Sequence, residues 1–371
     1  MTRRSMTTMF SVVTVLLLAA SPFFSQLPQR KSTPKLFPVV GNDGYGFIDR
    51  TGQVVIGPRF SGSYFMGFSE GLAAVKIDGQ WCYIDETGKV AIRTIGLRSA
   101  GLFTEGLAPV GVDKRTSDGQ EKIAYGYIDR TGRVVIKPQF DETYGFSEGL
   151  GRVVVNGKWG FIDREGRMVI EPQFTRAYWF SEGFASVGLD SGARVYVDHT
   201  GKAVSNPEYE YTDAWFSEGL TPAAKGSRWG FVDRNWKMVI PPLFDSTAQC
   251  FSEGLVSVRV DGKYGYIDRT GKIVISPRFE QPSGNFNDGL AWIQMNGKTG
   301  YINRQGDVVI EPQFVMAGDF RGGLAAVTTD EQVKYLQLCC NNWDYIDTTG
   351  RFVWRAKGGA SRAMKEWQHA Q

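Results

Sequence analysis

The chain is built from near-copies of the stretch at residues 148–183, which reads EGLGRVVVNGKWGFIDREGRMVIEPQFTRAYWFSEG. The Asp that ends its aromatic-Gly-aromatic-Ile-Asp string recurs along the chain at Asp49, Asp85, Asp129, Asp163, Asp198, Asp233, Asp268, Asn303 and Asp347. Successive anchors lie 34 to 44 residues apart. A period of this size indicates structural repeats, so we interpret residues 36–355 as one array of about nine units.

Each unit predicts a small antiparallel meander of three or four strands. Asn156-Gly157 lies between two apolar runs and is typical of a tight hairpin turn, because both residues accept a positive φ. Asp163 is expected to accept backbone N–H groups in the next turn, with Gly166 in the left-handed position. Pro172 is expected to end the third strand, since proline cannot donate to a sheet. The segment that follows, up to Phe-Ser-Glu-Gly, fits either a loop or a short fourth strand.

The predicted fold class is all-β, and two arrangements of the units remain open. In a β-propeller-like ring the meanders surround an axis, and small residues suit the crowded innermost strand, as in Gly71-Leu72-Ala73-Ala74-Val75. In an open β-solenoid the same units stack along a line and need polar caps, which neither end shows. We favour the ring, although units of ~35 residues are shorter than familiar propeller blades of about 40–50.

The N-terminus predicts a secretory signal peptide over residues 1–26. Arg3 and Arg4 precede an apolar stretch and the small residues Ala19 and Ala20, as in a cleavable export signal. The alternative is an uncleaved anchor, which would be the protein's one contact with a membrane. Residues 27–35 are expected to be a linker and residues 356–371 a disordered tail. The predicted location is therefore periplasmic or extracellular.

The repeated strings resemble the bacterial WG (or KWG) repeat family. The likeness lies in Lys-Trp-Gly-Phe-Ile-Asp at 158–163, in Val-Val-Ile-x-Pro-x-Phe and in Phe-Ser-Glu-Gly-Leu, and it covers nearly all of the chain after residue 35. Cys82 replaces the motif Gly in one unit, and Arg194-Val195 replaces Trp-Gly in another. The resemblance implies an exported β-rich repeat protein and no general enzymatic activity.

Composition and residue types argue against several functions. Lys and Arg total 42 against 39 Asp and Glu, so charge does not indicate a nucleic-acid partner. The two histidines, His199 and His369, provide little material for a catalytic triad or a metal site. Cys339 and Cys340 are adjacent, and the sequence does not decide whether they form a disulfide or remain free thiols. We expect no cofactor, no metal and no catalytic residue.

Recurring carboxylates keep a rival hypothesis open. Glu70, Glu105, Glu148, Glu182, Glu218 and Glu253 share the Ser/Thr-Glu-Gly context. Equivalent positions favour a role in turns, because a glycosidase needs two carboxylates in unlike surroundings. The rival is an exported glycan-active enzyme that uses Glu182 or Glu218 beside Trp179 and Trp215.

Aromatic residues are the best candidates for a binding site. Trp159 and Trp229 occupy one motif position, whereas Trp179 and Trp215 precede Phe-Ser-Glu. Such rings either pack between repeats or stack on sugars and cations. We predict a non-enzymatic binding or scaffold module of the cell envelope, with an envelope protein or a cell-wall glycan as its partner and Trp159, Trp179, Trp215 and Trp229 as candidate contacts.

Overall fold

A computed structural model describes residues 34–41, 43–61, 67–115, 119–211, 215–247, 250–329 and 343–356. The predicted signal peptide, most of the linker, the Cys339-Cys340 pair and the tail beyond Ala356 lie outside these residues. The described residues form 31 strands and no helix, arranged as nine antiparallel sheets. The predicted all-β array of nine units is confirmed.

We number the sheets as blades 1–9 in chain order. Blades 1 to 4 comprise β1 (Phe37–Gly41), β2 (Gly44–Ile48) and β3 (Val54–Phe60); β4 (Leu72–Ile77), β5 (Gln80–Asp85) and β6 (Val90–Arg93); β7 (Leu97–Ala100), β8 (Leu107–Arg115), β9 (Glu121–Asp129) and β10 (Val134–Phe140); and β11 (Glu142–Ser147), β12 (Leu150–Val155), β13 (Lys158–Ile162) and β14 (Met168–Phe174).

Blades 5 to 9 follow the same plan. They comprise β15 (Arg176–Ala177), β16 (Ala185–Gly188) and β17 (Arg194–Val197); β18 (Leu220–Lys225), β19 (Arg228–Asp233) and β20 (Met238–Phe244); β21 (Ser246–Thr247), β22 (Leu255–Val260), β23 (Lys263–Asp268) and β24 (Ile273–Phe279); β25 (Ala291–Met295), β26 (Lys298–Ile302) and β27 (Val308–Phe314); and β28 (Met316–Ala317), β29 (Leu324–Thr328), β30 (Asp344–Asp347) and β31 (Phe352–Trp354).

The turns of a blade follow the chemistry of their residues. Asn156 and Gly157 both have positive φ, at 51° and 74°, and join β12 to β13. In the next turn Oδ1 of Asp163 accepts the N–H groups of Glu165 and Arg167, at 3.1 and 2.8 Å, and Gly166 has a φ of 84°. Both predicted turns are confirmed.

The third strand does not end at its proline. β14 runs on through Pro172 to Phe174, so the predicted end of this strand was wrong. β14 lies at the edge of its sheet, where a missing N–H group removes no ladder bond. Trp159 pairs with Phe174 and Phe161 with Ile170, so the strand bulges around the proline. A Cβ added to Gly160 would lie 2.6 Å from the carbonyl oxygen of Ile170, which explains the motif glycine.

The short fourth strand belongs to the following blade. β14 ends at Phe174, and β15 starts two residues later at Arg176 and pairs with β16. The chain therefore crosses from one blade to the next directly after its third strand. Ser181-Glu182-Gly183 then returns it into the first long strand.

The nine blades close into a ring. At every junction a buried aromatic ring of one blade meets a ring of the next, with centroids 4.6 to 5.8 Å apart: Phe47–Phe68, Tyr83–Phe103, Tyr127–Phe146, Phe161–Phe180, Tyr196–Phe216, Phe231–Phe251, Tyr266–Phe286, Tyr301–Phe320 and Tyr345–Phe37. The last pair joins blade 9 to blade 1. The Tyr345 hydroxyl also donates to the Pro38 carbonyl, at 2.9 Å. The ring, rather than the open solenoid, is the arrangement found.

Blade 5 departs from the repeat and blade 6 compensates. After β17 the described chain forms only an isolated bridge between Val197 and Ala203 in place of a third strand. In blade 6, Trp236 replaces the turn glycine and takes a φ of 62°. Its indole contacts Tyr196 and Phe216, each at 5.3 Å, and so fills space that the third strand of blade 5 leaves.

Candidate functional site

The recurring glutamates form bonds between blades. Each of these turn glutamates has a φ between 51° and 53°. Each carboxylate accepts the N–H of the turn glycine in the next blade; Glu182, for example, accepts from Gly219 at 2.9 Å. The same bond joins Glu70 to Gly106, Glu105 to Gly149, Glu148 to Gly183, Glu218 to Gly254, Glu253 to Gly289 and Asp288 to Gly323. We call this series the turn ladder.

Basic side chains from the neighbouring Asp-x-x-Gly turns lie beside the glutamates of the turn ladder. Arg234 donates to Glu182 through Nε at 3.0 Å and Nη2 at 2.7 Å. Arg130 and Arg304 occupy the same position beside Glu70 and Glu253, and His199 lies 3.3 Å from Glu148. The glutamates that the rival hypothesis needed as catalytic groups are thus engaged in a repeated structural bond.

The turn aspartates are likewise held by local hydrogen bonds. The Thr131 hydroxyl donates to Oδ1 of Asp129 at 2.6 Å, and this bond is the main cause that keeps the pKa of Asp129 below its usual value. Asp49, Asp85 and Asp268 have lowered pKa values for the same reason, each with a threonine two residues later. An ionised carboxylate that accepts several local donors shapes a turn and is not poised for proton transfer.

One cluster breaks the repetition of the ring, and we call it the Arg152 site: Arg152, Tyr144 and Trp159 of blade 4 with Trp179 of blade 5. The Arg152 guanidinium carbon lies 4.8 Å from the Tyr144 ring centroid, 5.8 Å from that of Trp159 and 5.5 Å from that of Trp179. Tyr144 also stacks on Trp159 with centroids 5.2 Å apart. The rings surround a cation on several sides.

Arg152 is a buried charge with few partners. Only 8% of the residue is exposed, and burial lowers its pKa to about 10. Nη1 donates to the Ala177 carbonyl at 2.9 Å, whereas Nε is buried without a hydrogen-bond partner. Three cation–π contacts of about 0.5–2 kcal/mol each offset part or all of the several kcal/mol that burial of a charge costs. No acidic side chain pairs with Arg152 in the described part of the chain.

Trp215 of blade 6 extends the site along the ring. Its centroid lies 5.0 Å from that of Trp179, and its Nε1 is buried without a partner. Its backbone oxygen accepts the thiol of Cys250 at 2.8 Å, and burial raises the pKa of that thiol to about 12. The protonated thiol therefore supports the backbone beneath Trp215.

The structure brings together three of the four predicted tryptophans. Trp159, Trp179 and Trp215 form one continuous group around Arg152, whereas Trp229 lies apart from it. Trp159 also packs on the core of blades 4 and 5, as Trp229 does on the core of blades 6 and 7. Trp179 is only 4% exposed, whereas Tyr144 is 38% exposed and Trp159 and Trp215 are partly exposed, so these three rings form the accessible aromatic surface of the cluster.

Sequence reasoning missed Arg152 and Tyr144. A signal for Arg152 exists, because the third residue of the first long strand is otherwise uncharged: Pro38, Ala74, Pro109, Ser186, Pro222, Ser257, Trp292 and Ala326. Arg152 is the one charged residue at a position that holds a small or apolar residue in the other blades. Such an exception indicates that Arg152 does something other than build the repeat. Tyr144 carried no comparable signal, since its register became visible only with the strand pairing of β11.

Within the described ranges, no group of His, Cys, Asp and Glu is placed to hold a metal ion. In the same part of the chain, no helix has the length and apolar character needed to cross a membrane.

Comparison with solved structures gives distant likenesses. BamB from Moraxella catarrhalis is 14% identical over 78% of this chain and 92% of its own, with a TM-score of 0.38. Hsv2p from Kluyveromyces lactis is 10% identical over 56% of this chain and 73% of its own, with a TM-score of 0.37. Apo AztD from Citrobacter koseri is 13% identical over 74% of this chain and 84% of its own, with a TM-score of 0.32. No curated protein matches the sequence.

The repeat itself identifies the family. Segments 45–81, 125–159, 159–191, 196–229, 229–264, 264–298 and 300–331 each match the family described as "WG containing repeat". They cover most of the ring, and most of them start at the motif aromatic of a blade. The chain therefore belongs to the WG repeat family.

Proposed function

We propose that this protein is an exported, non-enzymatic binding module of the cell envelope, and that its ligand is an acidic cell-wall glycan held at the Arg152 site. The single observation that carries the proposal is the buried Arg152 guanidinium among the rings of Tyr144, Trp159 and Trp179. The layout of residues 1–26 supports export.

The chemistry of the Arg152 site favours a glycan that carries carboxylates. Sugar rings stack on partly exposed aromatic faces, and the stacked pair of Tyr144 and Trp159 offers such a surface. A carboxylate on the sugar would neutralise Arg152, which has no acidic partner in the described part of the chain. A neutral glycan would gain only the stacking contribution.

The turn ladder supports a role without catalysis. A glycosidase requires one carboxyl group with a raised pKa near a second, ionised one. The six equivalent glutamates instead bind the glycines of neighbouring blades in one recurring geometry. The ring is therefore best understood as a rigid frame for a binding surface.

Calorimetric titration with two soluble glycans tests this function. Peptidoglycan glycan strands freed of their stem peptides, whose lactyl groups then carry free carboxylates, should bind, and neutral chito-oligosaccharides should bind at least about tenfold more weakly, which corresponds to about 1.4 kcal/mol. Trp159→Leu should abolish binding of the acidic strands. Trp229→Leu is the matched control, because Trp229 occupies the same motif position in blade 6, where Pro222 stands in place of Arg152.

Three results would contradict the proposal. Equal affinity for both glycans would remove the role of Arg152. Equal loss of binding in Trp159→Leu and Trp229→Leu, with both variants still folded, would remove the special role of Trp159. Retention of an envelope protein by the ring, without binding of either glycan, would replace the glycan by a protein partner.

A further inference from the structure

The contact that forms the Arg152 site recurs between blades 8 and 9 with a negative charge. Arg152 and Trp292 occupy the same position in blades 4 and 8, and Trp179 and Asp319 each precede the Phe of the next blade's Phe-x-x-Gly turn. The Trp292 indole N–H donates to the Asp319 carboxylate. We call the pair of Trp292 and Asp319 the Asp319 site.

The repeat does not require a carboxylate at the position of Asp319. Asp319 also takes no part in the turn ladder, in which Asp288 accepts the Gly323 N–H at 2.8 Å. A single charge at this position indicates a role other than building the repeat. The residue before that Phe is uncharged in blades 2–8, where it is Gly67, Leu102, Gly145, Trp179, Trp215, Cys250 and Asn285.

The Asp319 carboxylate lies in a recess that a ligand can reach. Asp319 and Trp292 are both partly exposed. Burial is nevertheless the main cause that raises the pKa of Asp319 to about 6. A carboxylate that is accessible and yet poorly hydrated favours the approach of a positive group, since water does little to stabilise its charge.

The neighbours of Asp319 do not neutralise it. Burial raises the pKa values of Tyr266 and Tyr301, and the negative charge of Asp319 adds to both shifts. Their neutral hydroxyls donate to the carbonyls that precede the turns of blades 8 and 9, each at 2.7 Å. Arg321 acts on Asp319 through its charge, but among the described residues no ion pair joins the two side chains. A cation from outside could therefore pair with Asp319.

The Asp319 site favours an organic cation over a metal ion. A hard metal ion needs several oxygen ligands, and Asp319 provides a single carboxylate. Trp292 supplies an aromatic ring, which attracts organic cations and stacks on sugar rings. A Cβ at Gly284 would overlap Nε1 of Trp292, so this glycine lets the indole pack directly on the backbone of blade 8.

Direct contact between Trp292 and Asp319 also limits the shape of the ligand. A ligand that stacks on the indole can bring to Asp319 only a group attached to its own ring. A 2-amino sugar has this form, because its ammonium group is bonded to the sugar ring. A guanidinium group binds best to both oxygens of a carboxylate, and Asp319 already accepts the Trp292 N–H.

We propose that the Asp319 site binds a 2-amino sugar, whose ring stacks on Trp292 while its ammonium group donates to Asp319. The ring would then carry two glycan sites of opposite preference, one for carboxylates at Arg152 and one for deacetylated amino sugars at Asp319. The second site does not depend on the acidic glycan proposed for the first.

Calorimetric titration with glucosamine oligosaccharides tests the Asp319 site. At pH 6.5 the deacetylated tetramer should bind, and the N-acetylated tetramer, in which an amide replaces each ammonium group, should bind at least about tenfold more weakly. Asp319→Asn keeps the size of the side chain and an oxygen for Trp292, and it should weaken binding of the deacetylated tetramer about tenfold or more. Asp307→Asn is the matched control and should leave this affinity unchanged, because Asp307 is an exposed carboxylate in a turn of blade 8.

The pH dependence provides a second measurement. Affinity for the deacetylated tetramer should fall by up to about eightfold between pH 6.5 and 5, as a carboxyl group with a pKa of about 6 takes up its proton. The ammonium group becomes no less charged as pH falls, and Tyr266, Tyr301 and Arg321 keep their charge states in this interval. Only protonation of Asp319 can therefore lower the affinity.

Equal affinity for the two tetramers, or an affinity that Asp319→Asn does not lower, overturns the proposal. Binding of tetralysine that depends on Asp319, without binding of the deacetylated tetramer, also overturns it and replaces the sugar by a peptide. Trp159→Leu should leave binding of the deacetylated tetramer unchanged, so failure at the Asp319 site is distinguishable from failure at the Arg152 site.

Discussion

Replacement of Glu182 by alanine tests the structural role of the turn ladder. The Glu182 carboxylate accepts the Gly219 N–H at 2.9 Å and two donors of Arg234 at 3.0 and 2.7 Å, and its side chain is 21% exposed. A hydrogen bond to a charged group contributes about 1.5–3 kcal/mol, and an exposed ion pair about 0.5 kcal/mol. Because water can partly replace both bonds, we expect a loss of about 2 kcal/mol in the free energy of unfolding.

Urea unfolding, followed by tryptophan fluorescence, measures this loss. Glu218→Ala should cost a similar amount, since its carboxylate accepts the Gly254 N–H at 3.0 Å. The control is Glu171→Ala, which removes an exposed carboxylate on β14 and should change stability by less than about 0.5 kcal/mol. The reasoning is refuted if Glu182→Ala leaves the free energy of unfolding unchanged. It is also refuted if replacement of Glu182 or Glu218 by alanine abolishes turnover of a glycan without any effect on stability.

Three further substitutions test other parts of the ring. Trp236→Gly restores the motif turn but empties the aromatic cluster between blades 5 and 6, so it should cost about 3–5 kcal/mol in thermal or urea unfolding; a gain in stability would contradict this packing. Gly160→Ala should destabilise by more than about 2 kcal/mol, because its Cβ would meet the carbonyl oxygen of Ile170 at 2.6 Å; a neutral result would show that β14 does not bulge as described. Burial raises the pKa of Asp319 from 3.8 to about 6, so the wild type should lose stability relative to Asp319→Asn as pH rises from about 4 to 6, and parallel pH curves would refute the raised pKa.

The direction of the Asp319 effect follows from the two states. The carboxyl group binds its proton more tightly in the folded protein than in the unfolded chain, so its contribution to stability is full below the unfolded value of 3.8 and is lost as pH rises through about 6. The turn aspartates act in the opposite sense. The pKa of Asp129 is lowered, so its contribution is present above 3.8 and is lost at lower pH.

The local structure of the repeat could be predicted because it depends on neighbouring residues. Asn156-Gly157 and Asp163 determine their turns through φ preference and short hydrogen bonds. Pro172 was misjudged because the rule that proline ends a strand holds inside a sheet, whereas β14 lies at an edge. The loss of the third strand in blade 5 and its replacement by Trp236 also escaped prediction, since the compensating residue lies in a different unit.

Ring closure and the Arg152 site depend on contacts between distant parts of the chain. Phe37 contacts Tyr345, which lies near the other end of the sequence, and no local sequence pattern predicts that contact. Arg152 reaches Trp179 because blades 4 and 5 pack face to face. The aromatic positions were visible in the sequence, but only the packing placed Trp159, Trp179 and Trp215 around Arg152 and Trp229 apart from it.

The distance between the first and last blades tests closure of the ring most directly. Spin labels on exposed cysteines introduced at Gln53 and Arg351, with Cys339 and Cys340 replaced by serine, report this distance by pulsed electron resonance. Gly52 packs on Val353, so the closed ring predicts a label separation below about 20 Å, a few strand spacings. A separation near 80 Å, about eight sheet spacings of ~10 Å each, would show an open stack of blades and would contradict the ring.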